Sequence, residues 1–139
     1  MYRSVFLIFA LLLVGCAAIP GKDNPPAYTQ AIVQDAIRLY KREGRQAIID
    51  RYRSRDNVDG QWYVFILDED KKGLAHYNPD RIGADASLAP YGDELTSATA
   101  EGKWFSHMNV NPETGTEQLK HFWIILYDGL TFASGWYEE

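Results

Sequence analysis

Apolar residues recur at three- and four-residue spacing between residues 29 and 43, with polar residues on the opposite face. This is the period of an amphipathic α-helix, and its predicted buried stripe consists of Ile32, Val33, Ala36, Ile37 and Tyr40. Gly44 is placed to end this helix. A second apolar stripe over residues 47–52 predicts a shorter helix directly after it.

The period changes after residue 55, where strand patterns replace helical ones. Residues 62–67 (WYVFIL) are apolar on both faces, which predicts an interior strand. The polar run 68–73 predicts a hairpin connection, and residues 74–77 form the predicted return strand. Three more strands are predicted over residues 103–110, 118–127 and 131–137.

The connections between these elements complete the predicted fold. Residues 78–102 contain scattered glycines and prolines, which predicts a long crossing segment with a short helix over residues 94–100. Asp128-Gly129 predicts a tight hairpin between the last two strands. The sequence therefore predicts a single α+β domain, in which a long N-terminal helix packs on a five-stranded antiparallel sheet.

The start of the chain has the pattern of a bacterial lipoprotein signal. Residues 5–14 form an apolar run of ten, shorter than the roughly 20 residues that a spanning helix needs. The sequence LVGC follows at 13–16 and resembles a lipobox, in which the cysteine is acylated. We therefore predict a signal peptide over residues 1–15, a lipidated Cys16 with a tether over residues 16–28, and a globular domain over residues 29–139.

Two alternatives to this prediction are an ordinary secretory signal cleaved near Ala17-Ala18 and an uncleaved anchor helix. Lipidation predicts a protein anchored to a bacterial envelope membrane and facing the periplasm, because each buried methylene contributes about 0.8 kcal/mol to membrane binding. Ala17 follows the cysteine, where an aspartate would mark retention at the inner membrane. In a Gram-negative cell the outer membrane is therefore favoured.

Composition and charge exclude several classes of protein. Of the 139 residues, 46% are apolar and 14% aromatic, which indicates a globular domain. Acidic residues number 19 and basic residues 14, and this acidic balance argues against a nucleic-acid partner. The single cysteine excludes an internal disulfide framework and a cysteine-based zinc finger.

Several short segments follow the predicted helix in a distinctive order: DGQWYVF at 59–65, GLAH at 73–76, Gly83, GKWF at 102–105, Asn111-Pro112, Lys120 and SGWY at 134–137. Over residues 28–139 they resemble the single Cache domain, an extracytoplasmic sensor module with a PAS-like sheet. The resemblance implies binding of a small anionic metabolite, a small organic acid or an amino acid, with an envelope sensor protein as partner. The alternative is a structural or interaction lipoprotein that binds another envelope protein.

Candidate ligand contacts come from the alternation of side chains along the strands. Tyr63 and Phe65 share one face of their strand, and the resemblance favours that face for the ligand. Trp104 and Ser106 alternate with Phe105 and its neighbours, and parity alone does not choose between the two faces. With the family's strand pairing, Trp104 and Ser106 complete the predicted ligand-facing set.

Lys120 is the sharpest candidate, because it opens an apolar strand and shares parity with Phe122 and Ile124. A lysine among buried aromatics needs an anionic partner, and a ligand carboxylate would supply one. The alternative is a strand-end lysine whose ammonium reaches water. His76 is a candidate hydrogen-bonding group of the same pocket, or else a structural histidine.

No motif of a known catalytic chemistry occurs in the sequence, which contains neither GxSxG nor a P-loop. The three histidines lack the spacing of metal ligands. We therefore predict no enzymatic activity, no metal and no cofactor.

Overall fold

A computed structural model describes residues 18–139, so the predicted signal peptide and Cys16 lie outside the described residues. Helix α1 spans Pro25–Glu43 and begins before its predicted start at residue 29. The Asn24 side chain caps it by accepting a hydrogen bond from a backbone N–H of the first turn. Pro25 suits the first helical position, where no N–H is needed. Residues 25–28, assigned to the tether, are therefore helical.

Gly44 separates the two N-terminal helices, as predicted. Its φ of 89° lies in the region that favours glycine, and its backbone N–H still donates to the carbonyl of Tyr40. Helix α2 spans Arg45–Tyr52. No helix among the described residues is long and apolar enough to cross a membrane.

The sheet has five antiparallel strands in the order β2-β1-β5-β4-β3, which confirms the predicted fold class. The strands are β1 (Phe65–Leu67), β2 (Gly73–Ala75), β3 (Lys103–Val110), β4 (Glu117–Tyr127) and β5 (Leu130–Tyr137). A short helix α3, Gly92–Leu95, lies in the crossing segment, slightly earlier than predicted. Asp128 and Gly129 both have positive φ, 50° and 76°, as the predicted tight hairpin requires.

Strand β1 is shorter than the apolar run that predicted it. The backbone of Trp62 pairs with Asp59 in an isolated bridge, and the carbonyl of Tyr63 accepts a 2.6 Å hydrogen bond from the Ser134 hydroxyl. Side chains and a local turn thus satisfy the backbone before Phe65, and the regular ladder begins only there.

The two faces of the sheet bury different sets of side chains. The predicted stripe of α1 packs on one face, where Val33, Ala36 and Ile37 are at most 2% exposed and contact a core that includes Phe132. This confirms the predicted face of the helix. The opposite face carries a second apolar cluster that includes Phe65 and Phe122, and this second face holds the candidate site.

Candidate functional site

A cavity of about 510 Å³ lies between the second face of the sheet and residues 79–95, which we call the covering loop. This volume is in the usual range for small-molecule pockets. The sheet side of its wall includes Tyr63, Phe65, Leu67, Ala75, His76 and Phe122, and the covering loop adds Arg81, Asp85, Ala86, Leu88, Tyr91 and Leu95.

Backbone hydrogen bonds hold the covering loop to strand β2. The N–H of Gly73 donates to the carbonyl of Ala84 at 3.0 Å, and the N–H of Gly83 donates to the carbonyl of Gly73 at 2.8 Å. A Cβ at position 73 would lie 1.8 Å from the carbonyl oxygen of Arg81. Glycine at this position therefore permits the close approach that places the loop over the cavity.

Three of the predicted site residues line the cavity: Tyr63, Phe65 and His76. The His76 ring lies 5.2 Å from the ring of Tyr63 and 5.7 Å from that of Phe65, measured between centroids. Tyr63 and Phe65 share the cavity face because residue 64 between them points to the α1 core. Burial raises the pKa of Tyr63 to about 12, so its hydroxyl stays protonated at neutral pH.

Trp104 and Ser106 lie on the opposite face of the sheet, which corrects the predicted placement. The register of β3 and β4 pairs Trp104 with Trp123, and the centroids of the two rings lie 5.2 Å apart on the face that packs against α1. The Ser106 hydroxyl is 2.6 Å from His121 Nδ1. Phe105 instead stacks on the cavity-lining Phe122, with centroids 4.7 Å apart. Neither predicted residue is part of the cavity wall.

Lys120 is 0% exposed and does not line the cavity. Its ammonium lies 4.1 Å from the ring centroid of Tyr63 and 4.8 Å from that of Phe122, so these two wall residues separate it from the cavity. Burial alternates along β4 and includes Lys120, Phe122 and Ile124, as their shared parity predicted. Gly135 on β5 leaves room for the lysine stem, since a Cβ there would lie 2.7 Å from Lys120 Cε.

The environment of Lys120 stabilises its charge only weakly. Its Nζ donates a 2.9 Å hydrogen bond to the Tyr63 hydroxyl and faces three aromatic rings. None of the ion pairs formed within residues 18–139 includes it. Burial therefore lowers the pKa of Lys120 to about 7 from an ordinary value of 10.5.

His76 is held as a neutral hydrogen-bond donor. Its Nδ1 accepts a 2.9 Å hydrogen bond from the backbone N–H of Asn78, so the proton of the neutral ring resides on Nε2. Burial, followed by the positive charges of Lys120 and Arg81, lowers the pKa of His76 to about 3. The ring thus remains neutral at physiological pH.

Arg81 is a site residue that the sequence analysis missed. It ends a 3₁₀ turn, Pro79–Arg81, which Asn78 caps by accepting a hydrogen bond from Asp80 N–H. Arg81 lines the cavity, and the positive charge of its exposed side chain lowers the pKa values of His76 and Tyr63. The signal in the sequence is the Asn-Pro cap before it, but a cap does not show where the last side chain of the turn points.

Solved structures of other proteins resemble this chain in fold, whereas comparisons of its sequence found no match. No protein-family model matches the chain, and no curated protein matches it. A periplasmic sensor domain of a chemotaxis protein has a TM-score of 0.63 and 19% identity, covering 79% of this chain and 92% of that one. A methyl-accepting chemotaxis protein from Vibrio parahaemolyticus has a TM-score of 0.59 and 16% identity, covering 84% and 87%.

A third solved structure describes carboxylic acid recognition by a Cache chemosensory domain. It has a TM-score of 0.61 and 18% identity, and the match covers 80% of this chain and 91% of that one. At such identities the likeness concerns the fold and carries no activity with it. The helix, the strand order and these three likenesses together show that the chain has the α+β, PAS-like fold of a single Cache sensor domain.

Proposed function

We propose that this protein is an extracytoplasmic, lipid-anchored domain that binds a small anionic metabolite, an organic acid or an amino acid, in the cavity beneath the covering loop. The observation that carries this proposal is the ammonium of Lys120, fully buried directly behind the aromatic wall and without an ion pair among residues 18–139. A bound anion would supply the opposite charge that burial of an ammonium calls for.

Each group of the site has a distinct part in this proposal. Phe65 and Phe122 offer flat apolar contact area, and His76 Nε2 offers a hydrogen-bond donor. Lys120 is a positioning residue, since it acts on the ligand through the Tyr63 hydroxyl and through its field in a poorly solvated wall. Arg81 supplies a second positive charge at the covering loop.

The location and the partner are proposed on different grounds. The sequence LVGC at 13–16 supports acylation of Cys16 and anchoring to the outer membrane of a Gram-negative cell. Two of the structural relatives are named as chemotaxis proteins, one of them as a periplasmic sensor domain, which supports a periplasmic position and an envelope sensor protein as partner. The recognition of carboxylic acids by a third relative supports an acidic ligand.

The alternative function, docking to another envelope protein, has one observation in its favour. Trp104, Met108 and Val110 lie on one face of the edge strand β3 and are 38%, 49% and 53% exposed. Exposed apolar side chains of this kind occur at protein interfaces. The open, aromatic cavity on the other face favours the small ligand as the main function.

Calorimetry on the full-length chain, solubilised in mild detergent, tests the proposal with a panel of small carboxylates and amino acids. We expect saturable binding of at least one acid and a higher melting temperature in its presence. Ala86→Trp should abolish binding by filling the cavity, because Ala86 lines it and is buried. Ala100→Trp, at an exposed site outside the cavity, is the matched control. Absence of binding across the panel, or unchanged binding by Ala86→Trp, would overturn the proposal.

A further inference from the structure

We infer that Arg81 binds a single carboxylate and that the rest of the cavity selects an apolar body, so that the ligand is an apolar monocarboxylate rather than a dicarboxylate or an amino acid. This inference rests on the proposed function, and it assigns the ligand class and a further binding residue. Three features of the cavity carry it, all among residues 18–139: a single cationic residue in the wall, an apolar remainder and a single carboxylate.

Of the lysines and arginines in the described part of the chain, Arg81 is the one in the cavity wall. None of the ion pairs or side-chain hydrogen bonds within residues 18–139 occupies its guanidinium. The guanidinium presents parallel N–H groups that match the two oxygens of a carboxylate. Because the Arg81 backbone is packed against Gly73, the position from which this side chain extends is fixed.

Two hydrogen-bond donors of the cavity wall, the Arg81 guanidinium and the His76 imidazole, lie near each other. His76, whose Nε2 carries the proton, is close enough to Arg81 for the guanidinium charge to lower the imidazole pKa. One carboxylate bound by Arg81 would therefore have a neutral donor nearby. The remaining wall is mostly apolar and includes Phe65, Leu67, Ala75, Ala86, Leu88 and Leu95. Leu88 is 83% exposed, and an apolar ligand would cover part of this exposed surface.

Beyond Arg81, no cationic residue within the described range 18–139 lines the cavity to meet a second carboxylate. The other nearby positive charge, Lys120, is 0% exposed behind the rings of Tyr63 and Phe122, so it acts on a bound carboxylate only through the Tyr63 hydroxyl and its field and offers no direct ion pair to a second one. A dicarboxylate would have to bury its second charge against apolar side chains, and this desolvation opposes binding.

An amino acid would bring an ammonium that also lacks a suitable partner. Asp85 is the only carboxylate that the described residues place in the wall, and it is exposed to solvent. Its Oδ1 already accepts hydrogen bonds from the Ser87 backbone N–H at 3.0 Å and from the Ser87 hydroxyl at 2.6 Å. Arg81 is exposed as well, but its guanidinium makes none of the ion pairs or hydrogen bonds within residues 18–139, so a ligand carboxylate gains more at Arg81 than an ammonium gains at Asp85.

Two matched pairs of ligands test the inference by calorimetry on the full-length chain. Hexanoate and adipate differ by the second carboxylate, and 3-phenylpropanoate and phenylalanine differ by the α-ammonium. We expect each monocarboxylate to bind at least tenfold more tightly than its matched partner. Adipate or phenylalanine binding as tightly as its partner would overturn the inference while leaving the proposed function intact. If no acid of any class binds, the proposed function fails as well.

Two variants test the part of Arg81 directly. Arg81→Gln should weaken monocarboxylate binding roughly 10- to 100-fold, and Arg81→Lys should weaken it less, since a cation remains without the paired N–H groups. The matched control is Arg55→Gln, which removes an exposed guanidinium 5.6 Å from the Tyr77 ring but outside the cavity wall. Equal losses in Arg81→Gln and Arg55→Gln would show a general charge effect and overturn the assignment of Arg81.

Discussion

The ammonium of Lys120 donates a 2.9 Å hydrogen bond to the hydroxyl of Tyr63, and the two residues are 0% and 7% exposed. The partner of this buried cation is thus a neutral phenol, and burial raises the pKa of that phenol further. Such an arrangement is costly for folding, because burial of a charge without an opposite charge is unfavourable. Sites that reduce stability in this way are often kept for function.

Replacement of Lys120 by methionine should separate the two effects. Lys120→Met keeps most of the apolar stem and removes the charge, so the free energy of unfolding should stay the same or rise by about 1–4 kcal/mol. Affinity for the identified acid should fall roughly 10- to 100-fold, because the field of the cation is lost. Urea unfolding and calorimetry measure the two quantities. Lys41→Met, at an exposed position of α1, is the control, and unchanged affinity in Lys120→Met would contradict the prediction.

The stability of the wild-type protein should rise as the pH increases above 7. Lys120 loses its proton near pH 7 in the folded state and near its ordinary value of 10.5 when unfolded. Between these values the unfolded chain binds more protons, so this residue raises the free energy of unfolding by up to about 1.4 kcal/mol per pH unit. Urea unfolding from pH 6.5 to 9.5 should show the stability advantage of Lys120→Met shrinking with pH. If the difference in free energy of unfolding between Lys120→Met and the wild-type protein stays constant over this pH range, the prediction is wrong.

Removal of the Tyr63 hydroxyl should destabilise the protein more while Lys120 is present than in its absence. Tyr63→Phe leaves the Lys120 ammonium without its acceptor, which should lower the free energy of unfolding by about 1–3 kcal/mol. In the Lys120→Met background this loss should be smaller, with a coupling of about 0.5–3 kcal/mol in a double-mutant cycle. Tyr52→Phe, a buried tyrosine of α2, should show no coupling to Lys120. Additive effects at positions 63 and 120 would argue against the contact.

The close approach of Gly73 to the covering loop should be needed for binding. Gly73→Ala places a Cβ 1.8 Å from the carbonyl oxygen of Arg81, so the loop must move away from strand β2. We expect at least a tenfold loss of affinity, measured by calorimetry, in a protein that remains folded by circular dichroism. Gly21→Ala is the control, because its Cβ meets only the exposed, movable side chain of Asp23. Wild-type affinity in Gly73→Ala would show that the loop position does not matter.

Acylation should depend on Cys16, which lies outside the described residues. Cys16→Ser should leave the protein unprocessed or release it from the membrane fraction, since serine offers no thiol for the diacylglycerol. Fractionation of cells and mass spectrometry of the mature N-terminus measure these outcomes. If Cys16→Ser is processed and sediments with membranes like the parent chain, the lipobox interpretation of LVGC is wrong.

Local periodicity was sufficient to predict most of the fold. The stripe of α1, the glycine that ends it and the long strands β3 to β5 follow from residue spacing, because a helix and a strand repeat their faces with fixed periods. The same parity placed Lys120 on the buried face with Phe122. Strand β1 was overestimated, since the Ser134 hydroxyl that replaces a ladder bond at Tyr63 is 71 residues away in sequence.

The composition of the site was decided by tertiary structure. Alternation along β3 defines two faces but does not name them, and only the register that pairs Phe105 with Phe122 placed Trp104 and Ser106 away from the cavity. Lys120 came to lie behind the wall because Gly135 leaves space for its stem. Arg81 reached the cavity because the loop that carries it packs on Gly73. These contacts join residues distant in sequence, so no local pattern of residues encodes them.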